Sequence, residues 1–311
     1  MSESTASLSR KIGSATDLQS VVRTMKAVAA SSLGQYENAV RSTDDYFRTV
    51  QLALTACLRP GHTGAQAAAP AVTPERGVIA AVVFGSDQGL VGQFNDVLME
   101  FVQQTLGTLG AEARIWAVGE RIQSRLAESH LPEGGHFTLP SSIRAIAPLV
   151  GTMLVDLETR RTHGEVAQIH VFHNRPVSRG HYEPVCQRLL PLDAAWQHEM
   201  ASQPWPTPRP PEVLNSGEAT LVQLVHEHLF ISLFKACAES LASENASRLA
   251  AMQRAEKNID DLLESLHNSF NRLRQSGIDE ELFDVIAGFE ALTASLAEAP
   301  HPAPTRLRSG V

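Results

Sequence analysis

LASENASRLAAMQRAEKNIDDLLESLHNSFNRLRQSGIDEELFDVIAGFEAL (241–292) carries the pattern that decides the fold. Within it Leu249, Met252, Ile259, Leu263, Leu266, Phe270 and Leu273 alternate at three- and four-residue steps, and Glu256 fills one slot of the heptad. Such spacing gathers apolar side chains into a seam along one side of a helix, and a seam needs a second helix to cover it. The surrounding composition extends the helix, because no proline occurs between Gly217 and Leu296. A helix of roughly 80 residues is about 120 Å long at 1.5 Å per residue, beyond the diameter of a small domain, so most of it must project. After Leu273 the apolar stripe resumes out of phase at Leu282, Val285, Phe289, Leu292 and Leu296, with Gly277 at the change. The helix is expected to break, kink or turn its contact face there.

The covering helix is expected at the other end of the chain. Leu8, Ile12, Ala15, Leu18, Val22, Met25, Ala29 and Leu33 recur every three or four residues, a 3.6-period stripe. The helical pattern continues to about Leu58 and stops at Arg59-Pro60-Gly61. Between the two helices the pattern changes to strand-length apolar runs, GVIAAVVFG (77–85), ARIWAVG (113–119) and VAQIHVFH (166–173), with a polar-interrupted run near Val185–Leu192. Asn95–Leu109, Glu120–Ser129 and Ile143–Thr162 read as the helices among them. Alternation of this kind predicts a mostly parallel α/β domain covered on both faces. The expected fold is therefore an antiparallel coiled coil of N- and C-terminal helices with an inserted Rossmann-like α/β domain. Its divisions are residues 1–58, the N-terminal coiled-coil helix; 77–192, the α/β domain; 214–297, the C-terminal coiled-coil helix; and 298–311, a tail. SQPWPTPRPPEV (202–213) reads as an extended connection.

Composition narrows the function. Among 311 residues Asp and Glu outnumber Lys and Arg, 34 to 26, for a formal net charge of -8, which argues against a general nucleic-acid binder. Cys57, Cys186 and Cys237 are far apart and have no metal-ligand spacing, as expected in a reducing compartment. No run approaches the roughly 18 apolar residues that span a bilayer, so membrane association is expected only through partners. Gly85, Gly89 and Gly92 follow a strand and precede a helix, where a phosphate loop would sit, but they fit neither GxGxxG nor GxxxxGK. His226 and His228 are two residues apart, which on a helix does not bring them to one metal. No catalytic set, cofactor site or metal site stands out.

Three blocks, taken together, resemble one family. VVRTMKAVAASSL (21–33) is similar to the Met-x-Met-Val-Ala-Ala-Ser signature of ATP synthase gamma subunits, with Met25 at the first methionine and Ala27 in place of the second. FGSDQGLVGQFN (84–95) resembles the family's Ser-Asp-Arg-Gly-Leu-Cys-Gly-Gly-x-Asn loop through Ser86, Asp87, Gly89, Leu90, Gly92 and Asn95, while Gln88, Val91 and Gln93 depart from it. The 241–292 block resembles the gamma C-terminal helix, and HNRPVSRGHYEPVCQRLLPL (173–192) the strand pair closing the gamma α/β domain. The departures suggest a divergent or alternative bacterial branch.

The resemblance implies a rotating central stalk without catalytic residues or cofactor. The implied partners are the alpha and beta subunits of a catalytic hexamer, an epsilon subunit and the membrane c-ring, at the cytoplasmic face of the bacterial inner membrane, with no direct membrane insertion and no nucleic acid. It implies partner contacts at Met25, Arg248 and Gln275, and at Asp279, where the family more often has threonine. Two other classes are open on the sequence: a Rossmann-like nucleotide-binding protein with a coiled-coil appendage, and a coiled-coil scaffold.

Overall fold

The computed structural model describes residues 4–59, 77–129, 131–178, 181–192, 194–208 and 217–297. The linker beginning at residue 60, most of the proline-rich connection and the tail 298–311 lie outside them. The elements in chain order are α1 (Thr5–Leu58), β1 (Ile79–Phe84), α2 (Phe94–Leu109), β2 (Ala113–Val118), α3 (Glu120–Glu128), β3 (Glu133–Phe137), α4 (Ile146–Thr162), β4 (Gln168–Ser178), β5 (His181–Leu190), α5 (Ala194–Ser202) and α6 (Gly217–Ala297). The chain divides into two compact units, one of Met1–Val22 with Ala255–Val311, the other of Arg23–Arg254.

The larger unit is built on a five-stranded sheet of order β3-β2-β1-β4-β5. The β3-β2, β2-β1 and β1-β4 pairings are parallel, and β5 joins the β4 edge antiparallel. Strand β1 is buried along its whole length, which is why it reads as an unbroken apolar run and not an alternating one. Its side chains nevertheless divide between faces with the two-residue period of a strand. Ile79, Ala81 and Val83 meet Leu98, Met99 and Val102 of α2 and Ile122 and Leu126 of α3. Ala80, Val82 and Phe84 meet Ile146, Val150 and Met153 of α4 and Leu233, Ala236 and Leu241 of α6. Each large side chain fully buried here contributes roughly 1.5–3 kcal/mol.

Helix α6 therefore serves as a core helix over part of its length, and every residue from Ala236 to Ser247 is buried. On its other side lies α1. Lys235 pairs with Asp44 at 2.5 Å, Tyr46 donates to Glu227 at 2.9 Å, and Val50 and Leu54 pack with Leu221, so the two helices run in opposite directions. Among the described residues α6 is the one helix long and apolar enough by composition to cross a membrane, but half of that window is buried inside the protein.

In the smaller unit α1 and α6 face each other again, and Gln19 donates to Asp260. Ile259, Leu263, Leu266, Phe270 and Leu273 are partly covered, as the seam predicts. The stripe on α1 differs from expectation. Leu18 is 58% exposed, and Gln19 takes the covered place. Along the whole of α1 the covered positions are Leu8, Ala15, Val22, Ala29, Tyr36, Thr43, Val50 and Cys57, every seventh residue, with a second set four residues after each. The period is 3.5, the mark of helices that wind around a partner, and not 3.6. Helix α6 runs unbroken through Gly277, so the phase change does not end it. From Ile278 to Glu290 every side chain is exposed, including Phe283 at 69% and Phe289 at 67%.

The sequence reading missed two elements, β3 and α5. Strand β3 contains Gly134 and Gly135, which favour no strand, yet any side chain there would strike the Trp116 indole, at 2.5 and 2.8 Å from the added carbon.

Burial also sets a pH response. His228 lies between Phe47 and Trp196, with ring centroids 5.5 and 5.4 Å away, and burial lowers its pKa from 6.5 to about 4. Below pH 6.5 the unfolded chain takes up a proton that the native state refuses, so this stability is complete above 6.5 and is lost as the pH falls toward 4. His228→Phe keeps a ring between the same neighbours. Urea unfolding of this variant from pH 6.5 to 4 should show stability falling about 1.4 kcal/mol less per pH unit than in the parent. Equal slopes would mean that His228 titrates normally in the native state.

Candidate functional site

The loop between β1 and α2 brings the family-like residues together at the carboxyl end of the sheet. Ser86 and Asn95 are buried and form its centre. The Asn95 carboxamide accepts from the Ser86 amide at 3.0 Å and donates to the Ser86 hydroxyl at 2.8 Å, and that hydroxyl donates to the Gln88 carbonyl at 3.0 Å. One side chain thus pins both ends of the loop. The Asp87 carboxylate accepts from the Glu120 amide at 3.1 Å, at the start of α3, where the helix dipole favours negative charge. Gly92 has φ +59°, a left-handed geometry that glycine adopts freely, and Leu90 takes the same geometry at φ 62° while remaining exposed. Gly85 is required by space, since an added carbon would lie 2.3 Å from the Ile122 side chain.

The loop does not make a phosphate cradle. The amino end of α3 is already served by Asp87, a fixed negative charge. Beside it a groove of 280 Å³ is lined by Gly89, Gly92, Arg121 and Arg125 together with Asp96 and Glu128. Arg125 is committed to Asp96 at 2.8 Å and to Glu128 at 3.0 Å. The two carboxylates offset the two arginines, so the groove offers a polyphosphate no net positive charge.

Helix α6 closes the site from the other side. The Ser247 hydroxyl donates to the Val91 carbonyl at 2.5 Å. Arg248, whose side chain is only 13% exposed, bonds Glu244 at 2.6 Å one turn earlier. Burial raises the Glu244 pKa and nearby Asp87 adds to the rise, while Arg248 opposes both. Of the residues expected to face partners, Arg248 is thus held mainly within the protein, and Met25 is half-buried on α1. Gln275 and Asp279 are exposed on α6, in the smaller unit. The loop residues and Arg248 come together in the larger unit, where Met25 also lies.

Two other constellations have a chemical look. Cys186 Sγ lies 3.6 Å from His170 Nδ1, and His170 Nε2 is 3.0 Å from Gln168 Oε1. This is a thiol, an imidazole and an orienting amide in order, which a reading of spacing alone missed because the residues sit on two strands. Burial pushes the Cys186 thiol up to about 11, and burial together with Arg188 lowers His170 to about 4. Thiol and imidazole therefore rest uncharged near neutrality, and no thiolate nucleophile forms. His226 contacts Glu158 at 3.3 Å on the surface while His228 is buried between aromatic rings, so the two histidines do not converge.

The geometry defines a class first: two long antiparallel helices attached to an α/β sheet whose terminal loop is satisfied by its own chain. Comparison with known proteins narrows the class. A family model described as ATP synthase matches residues 4–292. The ATP synthase gamma chain of Arthrobacter sp. (strain FB24) is 30% identical over 92% of this chain and 97% of its own. That of Anaeromyxobacter sp. (strain K) is 28% identical over 91% of this chain and 97% of its own. Among solved structures, a chain of the Euglena gracilis mitochondrial ATP synthase (OSCP/F1/c-ring, rotational state 3) matches with TM-score 0.67, covering 98% of this chain and 99% of that one at 16% identity. The chain belongs to the ATP synthase gamma-chain family, the non-catalytic subunit that forms the central rotor stalk of F-type ATP synthase.

Asn95→Ala should destabilise the folded chain by about 1–3 kcal/mol, the usual cost of leaving buried polar groups without partners. Denaturant unfolding measures it. A change below about 0.5 kcal/mol would show that the Ser86 groups find other partners and that Asn95 does not hold the loop.

Proposed function

We propose that the chain turns as the shaft of a bacterial F-type ATP synthase, coupling ion flow through a membrane ring to ATP synthesis or hydrolysis on partner subunits. The observation that carries this reading is α6, which is buried on every side at Ala236–Ser247 and wholly exposed at Ile278–Glu290. One helix thus has a gripped segment and a bare segment, as a shaft requires. The gripped unit, a Rossmann-like α/β domain at 77–192, would be the foot joined to an epsilon subunit and the c-ring. The coiled coil of residues 1–58 and 214–297 would stand within the alpha and beta hexamer, and the tail 298–311 would follow it. The bare apolar residues Leu282, Val285 and Phe289 would turn in an apolar sleeve. The catalytic sites would lie on the partners, at the cytoplasmic face of the bacterial inner membrane.

Rotation of an asymmetric shaft presents a different face to each partner site in turn and so shifts each among states of different nucleotide affinity. Met25, Arg248, Gln275 and Asp279 are the positions we assign to those contacts. Gln275 and Asp279 offer exposed polar groups directly. Arg248 would act with its charge oriented by Glu244, the ion pair fixing the guanidinium before a partner meets it.

The test is reconstitution with the alpha and beta subunits of the same host, reading the yield of assembled complex and its ATP hydrolysis. Arg248→Ala combined with Gln275→Ala should assemble, since Gln275 is exposed and buried Glu244, once its partner is gone, can take up a proton and stay neutral, and turnover should fall about tenfold if the contacts lower a rate-limiting barrier by about 1.4 kcal/mol. Assembly with parental turnover would remove both residues from the coupling. The isolated parent chain should show no saturable ATP binding up to millimolar concentration in calorimetry, and micromolar binding would favour a nucleotide-binding protein instead.

A further inference from the structure

Within the buried segment of α6 a polar stripe points at the sheet. Ser240 donates to the Phe84 carbonyl at 2.9 Å, Ser243 to the Asn174 carbonyl at 2.9 Å, and Ser247 to the Val91 carbonyl at 2.5 Å. Glu239 joins His173 Nε2 at 2.7 Å. All five side chains are at least nine-tenths buried. The three acceptors belong to different segments: the end of β1, strand β4 and the β1–α2 loop.

We propose that this stripe is the torque-bearing joint of the rotor, the set of contacts that stops α6 from turning about its own axis against the α/β sheet. The proposal rests on the shaft reading and adds to it where the load passes. Apolar packing is non-directional, so a smooth helix can turn in an apolar groove with little change in buried area. Hydrogen bonds weaken steeply when bent, and a buried hydroxyl or carboxylate moved off its partner finds no water to replace it. Rotation of α6 by one residue, about 100°, would break all four contacts together. The serines also act against a local alternative. A helix-interior serine can bond the carbonyl one turn back within its own helix, whereas these three reach across to the sheet and to the loop at its carboxyl end. Ala236, Ala238, Ala242 and Ala246 lie among them and are buried, which lets the helix backbone come close enough for so short a side chain to span the gap.

The experiment uses the reconstituted complex, with the catalytic ring fixed and a bead attached through Gln103→Cys on the exposed side of α2. Angular fluctuations of the bead in the stalled complex report torsional stiffness. Ser240→Ala, Ser243→Ala and Ser247→Ala combined should lower the stiffness at least twofold. Ser243→Ala alone, which keeps the other donors and is safer for folding, should give a smaller loss in the same direction. Leu241→Val, an apolar deletion in the same buried turn, should leave stiffness at the parental value. Parental stiffness in both serine variants, or an equal loss in Leu241→Val, would overturn the joint. Failure of the parent chain to rotate the bead at all would instead refute the shaft reading, and the joint with it.

Discussion

The structure depends on one constraint, the burial of α6 on every side between Ala236 and Ser247. A helix normally keeps one face in water and can place its polar residues there. Here no such face exists. Sheet and α4 occupy one side and α1 the other, so each polar group in the segment must find a protein partner or carry a desolvation penalty. Glu239 meets His173 and lies 3.8 Å from Lys235, which in turn reaches Asp44 on α1. Glu244 meets Arg248, Ser240 and Ser243 meet strand carbonyls, and Ser247 meets a carbonyl of the β1–α2 loop. The arrangement of the sheet's carboxyl edge follows, because Phe84, Val91 and Asn174 must present their carbonyls where α6 can reach them.

Legibility from sequence followed the same logic. Strands β1 and β2 could be read because burial on both faces leaves an apolar run that nothing else explains. The α6 seam was visible because its slots are apolar apart from Glu256. The α1 seam differs in phase from the helix's apolar stripe because two of its slots hold Gln19 and Lys26. A search for apolar residues selects Leu18 and Met25, one place earlier, and returns a 3.6 period. Long polar side chains can fill seam positions by laying their stems along the partner and keeping the polar end at the edge. Gln19 does this with its amide on Asp260. Strand β3 could not be read at all, since its two glycines answer to the indole of Trp116 on the neighbouring strand and not to any local preference.

The site was legible as a likeness but not as chemistry. Ser86, Asp87 and Asn95 could be picked out by resemblance, yet their roles depend on a pairing nine residues apart and on an amide contributed by α3. The serines of α6 gave even less signal. In a segment rich in Ala and Ser they read as neutral helix residues, and only their three- and four-residue spacing, alongside Glu239 and Glu244, hints at a common face.

That common face also occupies the carboxyl edge of the sheet, where open parallel sheets take their ligands. In open parallel sheets ligands settle at the carboxyl ends of adjacent strands whose connections leave in opposite directions. Here those strands are β1 and β4. The helices after β1 and β2 pack on one face and α4, which leads into β4, packs on the other. The carbonyls of Phe84 on β1 and Asn174 on β4 mark the edge of this crevice, and both are taken by hydroxyls of α6, from Ser240 and Ser243. The place where another protein of this architecture would hold a ligand is filled by a helix of the same chain. A bound ligand can leave, whereas a covalently continuous helix cannot, and what the fold gains is a fixed attachment for a long element that must carry load.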